Sequence, residues 1–253
     1  MLRSSLSHHR LKSAGAILFW LLVWQIIAFF VGLDLLLPSP ISVMQALWGL
    51  LFTFDFYSAI GFSLLGILGG FLLGIGSGTV IGLLCFRFAL IHALCSPILR
   101  LMRTAPVASF IILALLWFGR NTVPMLISAM MVLPIVVSST QTALTETDQN
   151  LLEMASIYRF SKGKTIRLIY LPQVLPQWQA ACMLGMGLAW KAGVAAEVIA
   201  QPALSMGRNL YRSRLLLNTP ELFAWTAVVI LLSFLLEQLF SALMQHLGGR
   251  YRL

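Results

Sequence analysis

Long apolar runs separated by short polar stretches set the pattern of this chain. A helix that crosses a bilayer needs about 20 consecutive apolar residues. The first run of that kind covers residues 14–33, and a turn-rich stretch with Pro38, Ser39, Pro40 and Asp55 follows it. The second covers 58–85. The third, 88–119, is interrupted near Pro97 and Pro106. The fourth is 123–139, the fifth 175–200 and the sixth 222–247, with a polar segment at 141–167 between the fourth and fifth. The pattern predicts an all-α membrane protein of about six transmembrane helices, one transmembrane domain over residues 1–253. Six spans place both termini on the same side. The N-terminus is basic and then apolar, like a signal peptide. Its apolar part, 14–31, is about 18 residues long without a small-x-small cleavage site, which reads as a retained anchor.

Composition narrows the class. Hydrophobic residues make up 59% of the chain, charged residues 10%, and the mean hydropathy is +0.91. A soluble domain carries about 25% charged residues, so this chain cannot cover a water-facing surface. A soluble enzyme, a disordered chain and a nucleic-acid-binding domain are excluded as whole-chain readings. The net charge of +9 comes from 17 Lys and Arg against 8 Asp and Glu. Basic residues concentrate in cytoplasmic loops. With the N-terminus inside, the inner segments hold ten Lys and Arg, and the outer ones hold four: Arg120, Arg208, Arg212 and Arg214. That asymmetry predicts cytoplasmic termini, with 1–13 and 141–173 inside and 201–221 an external loop. The three cysteines, Cys85, Cys95 and Cys182, lie in apolar stretches, and no metal-ligand spacing joins them to the four histidines.

The second run carries a packing signal. Gly66, Gly70, Gly74, Gly78 and Gly82 recur every four residues. Glycines so spaced share a helix face and admit another backbone closely. The spacing alone does not say whether that neighbour lies in the same chain.

The polar segment 141–167 runs acid first (Glu146, Asp148, Glu153) and base last (Arg159, Lys162, Lys164, Arg167). That order suits a helix dipole. It predicts a short helix over 148–158, a turn around 160–163 and a second short helix from Lys164. Pro172 is expected to end that segment and begin the next span. Leu151, Leu152, Ala155 and Tyr158 can face a groove, which makes the segment a docking device rather than a plain connection.

These residues resemble a known motif. Glu153-Met154-Ala155, followed at fixed spacing by Ile169-Tyr170-Leu171-Pro172, is similar to the EAA motif of ABC importer permeases: Glu-Ala-Ala, three residues, Gly, nine residues, Ile-x-Leu-Pro. Leu37-Pro38-Ser39-Pro40, Arg103-Thr104-Ala105-Pro106, Leu116-Trp117-Phe118-Gly119 and Ala189-Trp190 with Ala196-Glu197 resemble the nitrate/sulfonate/taurine branch of that family. Two positions depart from the motif. Met154 replaces the central Ala, and Arg159 replaces the Gly, which supplies a positive φ at little steric cost. Arg159 must therefore take a strained turn or extend the first helix and leave the turn to Gly163.

The resemblance implies the membrane subunit of an ATP-driven importer in a bacterial cytoplasmic membrane. Two permease copies, two ATP-binding cassette ATPases and an external solute-binding protein are the implied partners. Glu153, Met154, Ala155, Arg159, Gly163, Leu171 and Pro172 are the implied ATPase-coupling residues. The chain has no phosphate-binding loop, so ATP and Mg are expected on the partner ATPase, and this chain is not expected to be an enzyme. The implied solute is small: a sulfonate, taurine or nitrate, or a thiamine precursor.

Charges within spans are costly and mark functional candidates. Lys191 and Glu197 share the fifth run but point about 120° apart at 100° per residue, so each needs a partner elsewhere. Lys191 serves either an anionic solute or an ion pair with Glu197 of the other subunit or with Glu237. Glu197 follows the family pattern, which implies shared architecture. Trp190 reads as packing or as a gate. Arg100 and Arg103 share a face; Arg100 fits snorkelling to headgroups, and Arg103, beside Pro106, fits a translocation path. Arg208, Arg212 and Arg214 in the outer loop form a basic patch suited to a binding protein's acidic surface, or a solvated loop. An ion-gradient-driven secondary transporter is the alternative, although no repeat relates the two halves as that class requires.

Overall fold

The computed structural model describes residues 2–249, with side chains over 15–246. Among the described residues every regular element is helical: α1 (Leu2–Val31), α2 (Pro40–Leu51), α3 (Phe54–Arg87), α4 (Ala89–Thr104), α5 (Val107–Trp117), α6 (Val123–Thr145), α7 (Gln149–Ile157), α8 (Lys162–Thr165), a π-helical turn (Ile166–Tyr170), α9 (Leu171–Ala200), α10 (Met206–Leu215) and α11 (Thr219–Gly249). The chain is the all-α membrane protein that the pattern predicts.

The spans differ in detail from the expected six. Four stretches are long and apolar enough to cross a membrane: Phe54–Arg87, Val123–Thr145, Lys162–Ala200 and Thr219–His246. A fifth arises if α4 and α5, bent by 111°, count as one broken span. The apolar part of α1, Gly15–Val31, is shorter than these. Of the two expected interruptions only one occurs. Ala105 is extended (φ −75°, ψ 143°) because the ring of Pro106 disfavours helix in the residue before it. Pro97 stays inside α4.

Two compact units divide the chain, one holding the residues up to Ser58 with Asn209–Val229, the other Ala59–Arg208 with the residues from Ile230. In the first unit the indole of Trp24 donates to the Pro38 carbonyl at 3.1 Å and its ring lies 5.8 Å from that of Phe223. Ser39 caps α2 by accepting from the Ser42 amide at 3.1 Å, with Pro40 at the first helical position, where a missing N–H costs nothing. Phe56 and Trp225 stack with centroids 5.3 Å apart.

The second unit is built on α3, α6 and α9. A β-carbon placed on Gly74 would sit 2.8 Å from the Val132 β-carbon, on Gly78 2.9 Å from that of Val136, and on Gly82 2.8 Å from that of Thr140. Gly70 likewise lies against Met125 and Ser128. The glycine stripe therefore packs on α6 of the same chain, except at Gly66, which faces open space. Ser128, which touches Gly70 of α3, also donates to the Ala189 carbonyl of α9 at 3.1 Å, beside Gly193. Phe71, Val132, Val136, Cys182, Met186 and Ala189 fill the space between the three helices. In lipid, such packing is held by van der Waals contact and interhelical hydrogen bonds rather than by water exclusion. Trp178 of α9 also reaches the Thr79 hydroxyl of α3 at 2.9 Å.

Gly78→Val should overpack the α3–α6 contact by about 1–3 kcal/mol, whereas Gly66→Ala should be neutral. Thermal unfolding of the two variants in detergent, followed by size-exclusion, checks the contrast.

Candidate functional site

The polar segment folds as a helix–turn–helix joined rigidly to a span. Asp148 caps α7 by accepting from the Asn150 amide at 2.9 Å, and its own amide donates to the Gln173 side chain at 2.9 Å. The entry to α7 is thereby tied to the start of α9. At the other end, the Arg159 amide donates to Ser156 O at 3.0 Å and the Phe160 amide to Ala155 O at 2.8 Å. This pair of bonds is a Schellman cap, with its left-handed residue at Arg159 (φ 50°). Arg159 thus takes the strained conformation itself at the position of the motif glycine. Gly163 does not supply the turn; it lies inside α8.

The turn falls earlier than expected, because Ser161 caps α8 through the Lys164 amide and helix resumes at Lys162. The Lys164 ammonium lies 4.2 Å from the centre of the Phe160 ring, closing the turn by a cation–π contact. Pro172 does not end the segment either. Residues Lys162–Ala200 run as one 39-residue helical rod. Pro172 has no N–H to give to the preceding turn. The i→i+5 bonding of the π turn at Ile166–Tyr170 lies immediately before it, a position where such bulges relieve a broken ladder.

The two faces of α7 are unlike. Leu151, Met154 and Tyr158, at i, i+3 and i+7, are exposed, as is Ile157 at 77%. Glu153 and Arg159 are exposed beside them. Ala155, expected on the docking face, points inward at 4% exposure. The bases Lys162, Lys164 and Arg167 are exposed. Leu171 and Pro172 are partly buried where α9 begins.

The charged candidates of α9 separate. Glu197 is 1% exposed. One carboxylate oxygen accepts from the Ser63 hydroxyl at 2.8 Å and from the Gly207 amide at 3.1 Å, and the Ser63 oxygen accepts from the Met206 amide at 3.0 Å. Glu197 and Ser63 therefore satisfy the free amides that open α10, a favourable place for negative charge. Its other oxygen has no partner among the described residues. Gly207 lies directly against Glu197 and has no room for a side chain. Trp190 is buried. Lys191 is exposed on the opposite side of α9, in a row with Leu184, Leu188 and Ala195. Its expected partner within the chain, Glu237, lies beside Gly187, one turn away, and does not bond to it.

Arg103 donates to the Pro134 carbonyl at 2.8 Å and to the Ser138 hydroxyl, which pins α4 to α6. It shares a cavity of about 200 Å³ with His92, Ser96, Leu99, Arg100, Ser138 and Gln141. His92, Ser96 and Gln141 were not singled out from the sequence, although 92, 96, 100 and 103 form a polar row on one face of α4. At the other end of α6, Arg208 donates to the Ala203 carbonyl and lines an open polar cavity of about 580 Å³ with Gly119, Arg120, Asn121, Thr122, Gln201 and Ala203. Arg212 and Arg214 are exposed. No group of three His, Cys, Asp or Glu that could hold a metal occurs among the described residues.

Comparison with known proteins places the chain in a family. Residues 66–253 match the family described as "Binding-protein-dependent transport system inner membrane component". The chain is similar to a permease protein of Bacillus subtilis named for aliphatic sulfonates transport, 27% identical over 80% of this chain and 74% of that one. It is 26% identical to the taurine transport system permease protein of Escherichia coli, over 97% and 91%. It is 25% identical to the nitrate import permease protein of Synechococcus elongatus, over 71% and 68%.

Two expectations follow from the geometry. Glu197→Ala orphans two buried donors at about 1–3 kcal/mol each and should lower the unfolding temperature, while Glu197→Gln, which still offers an acceptor oxygen, should retain most of it. Arg159→Gly should relieve about 1 kcal/mol of left-handed strain and raise amide-exchange protection at the end of α7.

Proposed function

The chain belongs to the family of binding-protein-dependent transport system inner membrane components, and on that premise we propose that it is the membrane-spanning permease subunit of an ATP-driven ABC importer. Its solute is small and, from the similarity to sulfonate, taurine and nitrate permeases, anionic or zwitterionic. An external binding protein delivers it. ATP and Mg are bound by two partner ATPases, and a second copy of this permease completes the path. The protein lies in the inner membrane as a multi-pass chain with both termini cytoplasmic.

One observation carries the reading. An exposed helix–turn–helix with an apolar row is continuous with a membrane-crossing rod. In this proposal Leu151, Glu153, Met154 and Tyr158 enter a groove of the ATPase, and Arg159 and Gly163 lie at its rim. Ala155 supports the contact from inside. Leu171 and Pro172 pass the load into α9. At about 1.5 Å per residue the rod is roughly 58 Å long, so a displacement of α8 reaches the level of Trp190, Lys191 and Glu197 without a hinge. ATP-driven closure of the ATPases would then bias an inward-open against an outward-open arrangement.

Lys191, exposed on a face of otherwise apolar residues, and Arg103 are the path candidates for an anionic group. Trp190 and Glu197 hold the path's wall. Arg208, Arg212 and Arg214 are the proposed contact for the binding protein. The family favours this reading over an ion-gradient-driven transporter, which needs neither a binding protein nor a docking segment.

The first test is co-purification of the tagged chain from its native host in mild detergent, with bound proteins identified by mass spectrometry. A stoichiometric ATPase carrying a phosphate loop is the expected result; a chain that emerges alone and transports nothing with ATP overturns the proposal. Glu153→Ala should lower uptake and ATPase stimulation by about tenfold, equivalent to about 1.4 kcal/mol of coupling, with membrane insertion intact. Normal uptake would remove Glu153 from the contact.

A further inference from the structure

Two polar rows face each other between α4 and α6. On α4 the row is His92, Ser96, Arg100 and Arg103. On α6 it is Ser138, Gln141 and Thr145, which follow one another at three and four residues and so share a side, with Thr142 next to Gln141. α6 carries further polar side chains outside this row, Ser128, Ser139 and Thr140, and α4 buries no residue at all. Polar side chains inside membrane-spanning segments are costly to retain without a task, and here one set from each helix borders the same clefts.

The rows border two adjoining open clefts. The first, about 200 Å³, is lined by the side chains of both arginines, His92, Ser96, Ser138 and Gln141, with Leu99 the one apolar member. The second, about 350 Å³, shares His92, Ser138 and Gln141 and continues along Thr142 and Thr145 to Glu146, where the coupling segment begins. No carboxylate lines the first cavity; Glu146 stands at the far end of the second. The rows are held in place: Arg103 is fixed to Pro134 O and Ser138, Gln141 lies 3.0 Å from the His92 ring nitrogen Nδ1, and the Ser96 hydroxyl donates to His92 O at 2.7 Å. Arg100 makes no side-chain bond within the described chain and is exposed at the cavity.

We infer that this cleft is a binding site for a small oxyanion on the coupling-segment side of the membrane. Two guanidinium groups supply charge-assisted hydrogen bonds to a sulfonate-, phosphate- or nitrate-like group, while the hydroxyls and the amide satisfy its remaining oxygens. The cavity accommodates such a headgroup and little more. Arg103, already bonded to α6, orients the site. Arg100 is free to close on the anion. The same chemistry has two sources: the sulfonate of a solute leaving the path, or the phosphate of an anionic lipid. In its solute form the inference rests on the importer reading; the chemistry of the cleft does not.

The test uses the full chain without its ATPase, in nanodiscs of phosphatidylcholine, titrated with ethanesulfonate. In parallel, the chain is purified from membranes containing phosphatidylglycerol and retained lipid is counted by native mass spectrometry. Arg100→Gln is the principal variant. His92→Leu and Gln141→Leu serve beside it, since they leave both arginines and the Arg103 bonds to α6 in place. Saturable ethanesulfonate binding weakened by about tenfold in Arg100→Gln, as for a lost charge-assisted bond, and restored in part by Arg100→Lys, identifies the solute as the occupant. Absence of that binding, with phosphatidylglycerol retention reduced by the same variants, identifies the lipid phosphate. If neither probe responds to Arg100, His92 or Gln141, the site is overturned. Because the ATPase is absent throughout, this failure is separate from failure of the importer reading, which the co-purification decides.

Discussion

The close approach of α3 to α6 is the contact on which the second unit depends. Four glycines in register let the backbone of α3 meet the side chains of Val132, Val136 and Thr140 directly. No hydrophobic driving force separates one apolar helix from lipid, so contact distance and packed surface decide association. α9 packs into the same seam, where Val132 lies against Gly185 as well as Gly74, and the Ser128 bond to Ala189 O and the absence of a side chain at Gly193 hold it there. The polar groups then have fixed places: Glu197 meets Ser63 on α3 and the opening amides of α10.

The coupling segment gains its stiffness from a different source. Its turn is short, doubly hydrogen-bonded and held by Arg159 in a left-handed conformation that glycine adopts more easily. Its second arm has no joint with α9. A proline placed where a helix would otherwise lose a bond is absorbed by a π turn, so the rod bends its ladder without breaking. α8 is therefore continuous with α9, which carries Lys191 on its exposed side and Glu197 on its buried side. The two charges share a helix and do separate things: Glu197 secures architecture, and Lys191 faces outward from the chain's own core.

Several features were legible as pattern. Apolar runs longer than a bilayer's thickness, a four-residue glycine repeat and an acid-to-base polar segment need only helical periodicity to be read. Others depended on neighbours. Pro97 and Pro106 are alike in sequence, yet only Pro106 breaks its helix. The expected turn at 160–163 moved because Ser161 could cap a helix starting at Lys162 while Arg159 accepted the strain. Ala155 turned inward, which its place on a helical wheel alone did not decide. The row 92, 96, 100, 103 was visible on α4, but its meaning came only from the matching row on α6.

What the sequence determined by itself is the class: an all-helical membrane chain with a polar helical segment between two spans, because hydropathy and helical period act locally and do not require a partner. What only the tertiary structure decided is which faces meet. It set the glycine stripe against α6, Glu197 against the start of α10, and the arginines of α4 against the hydroxyls of α6. Those pairings join residues from ten to more than a hundred positions apart, as in Gly207 and Ser63 with Glu197, and their stability arises from contact distances and shared hydrogen bonds that exist only once the helices are packed.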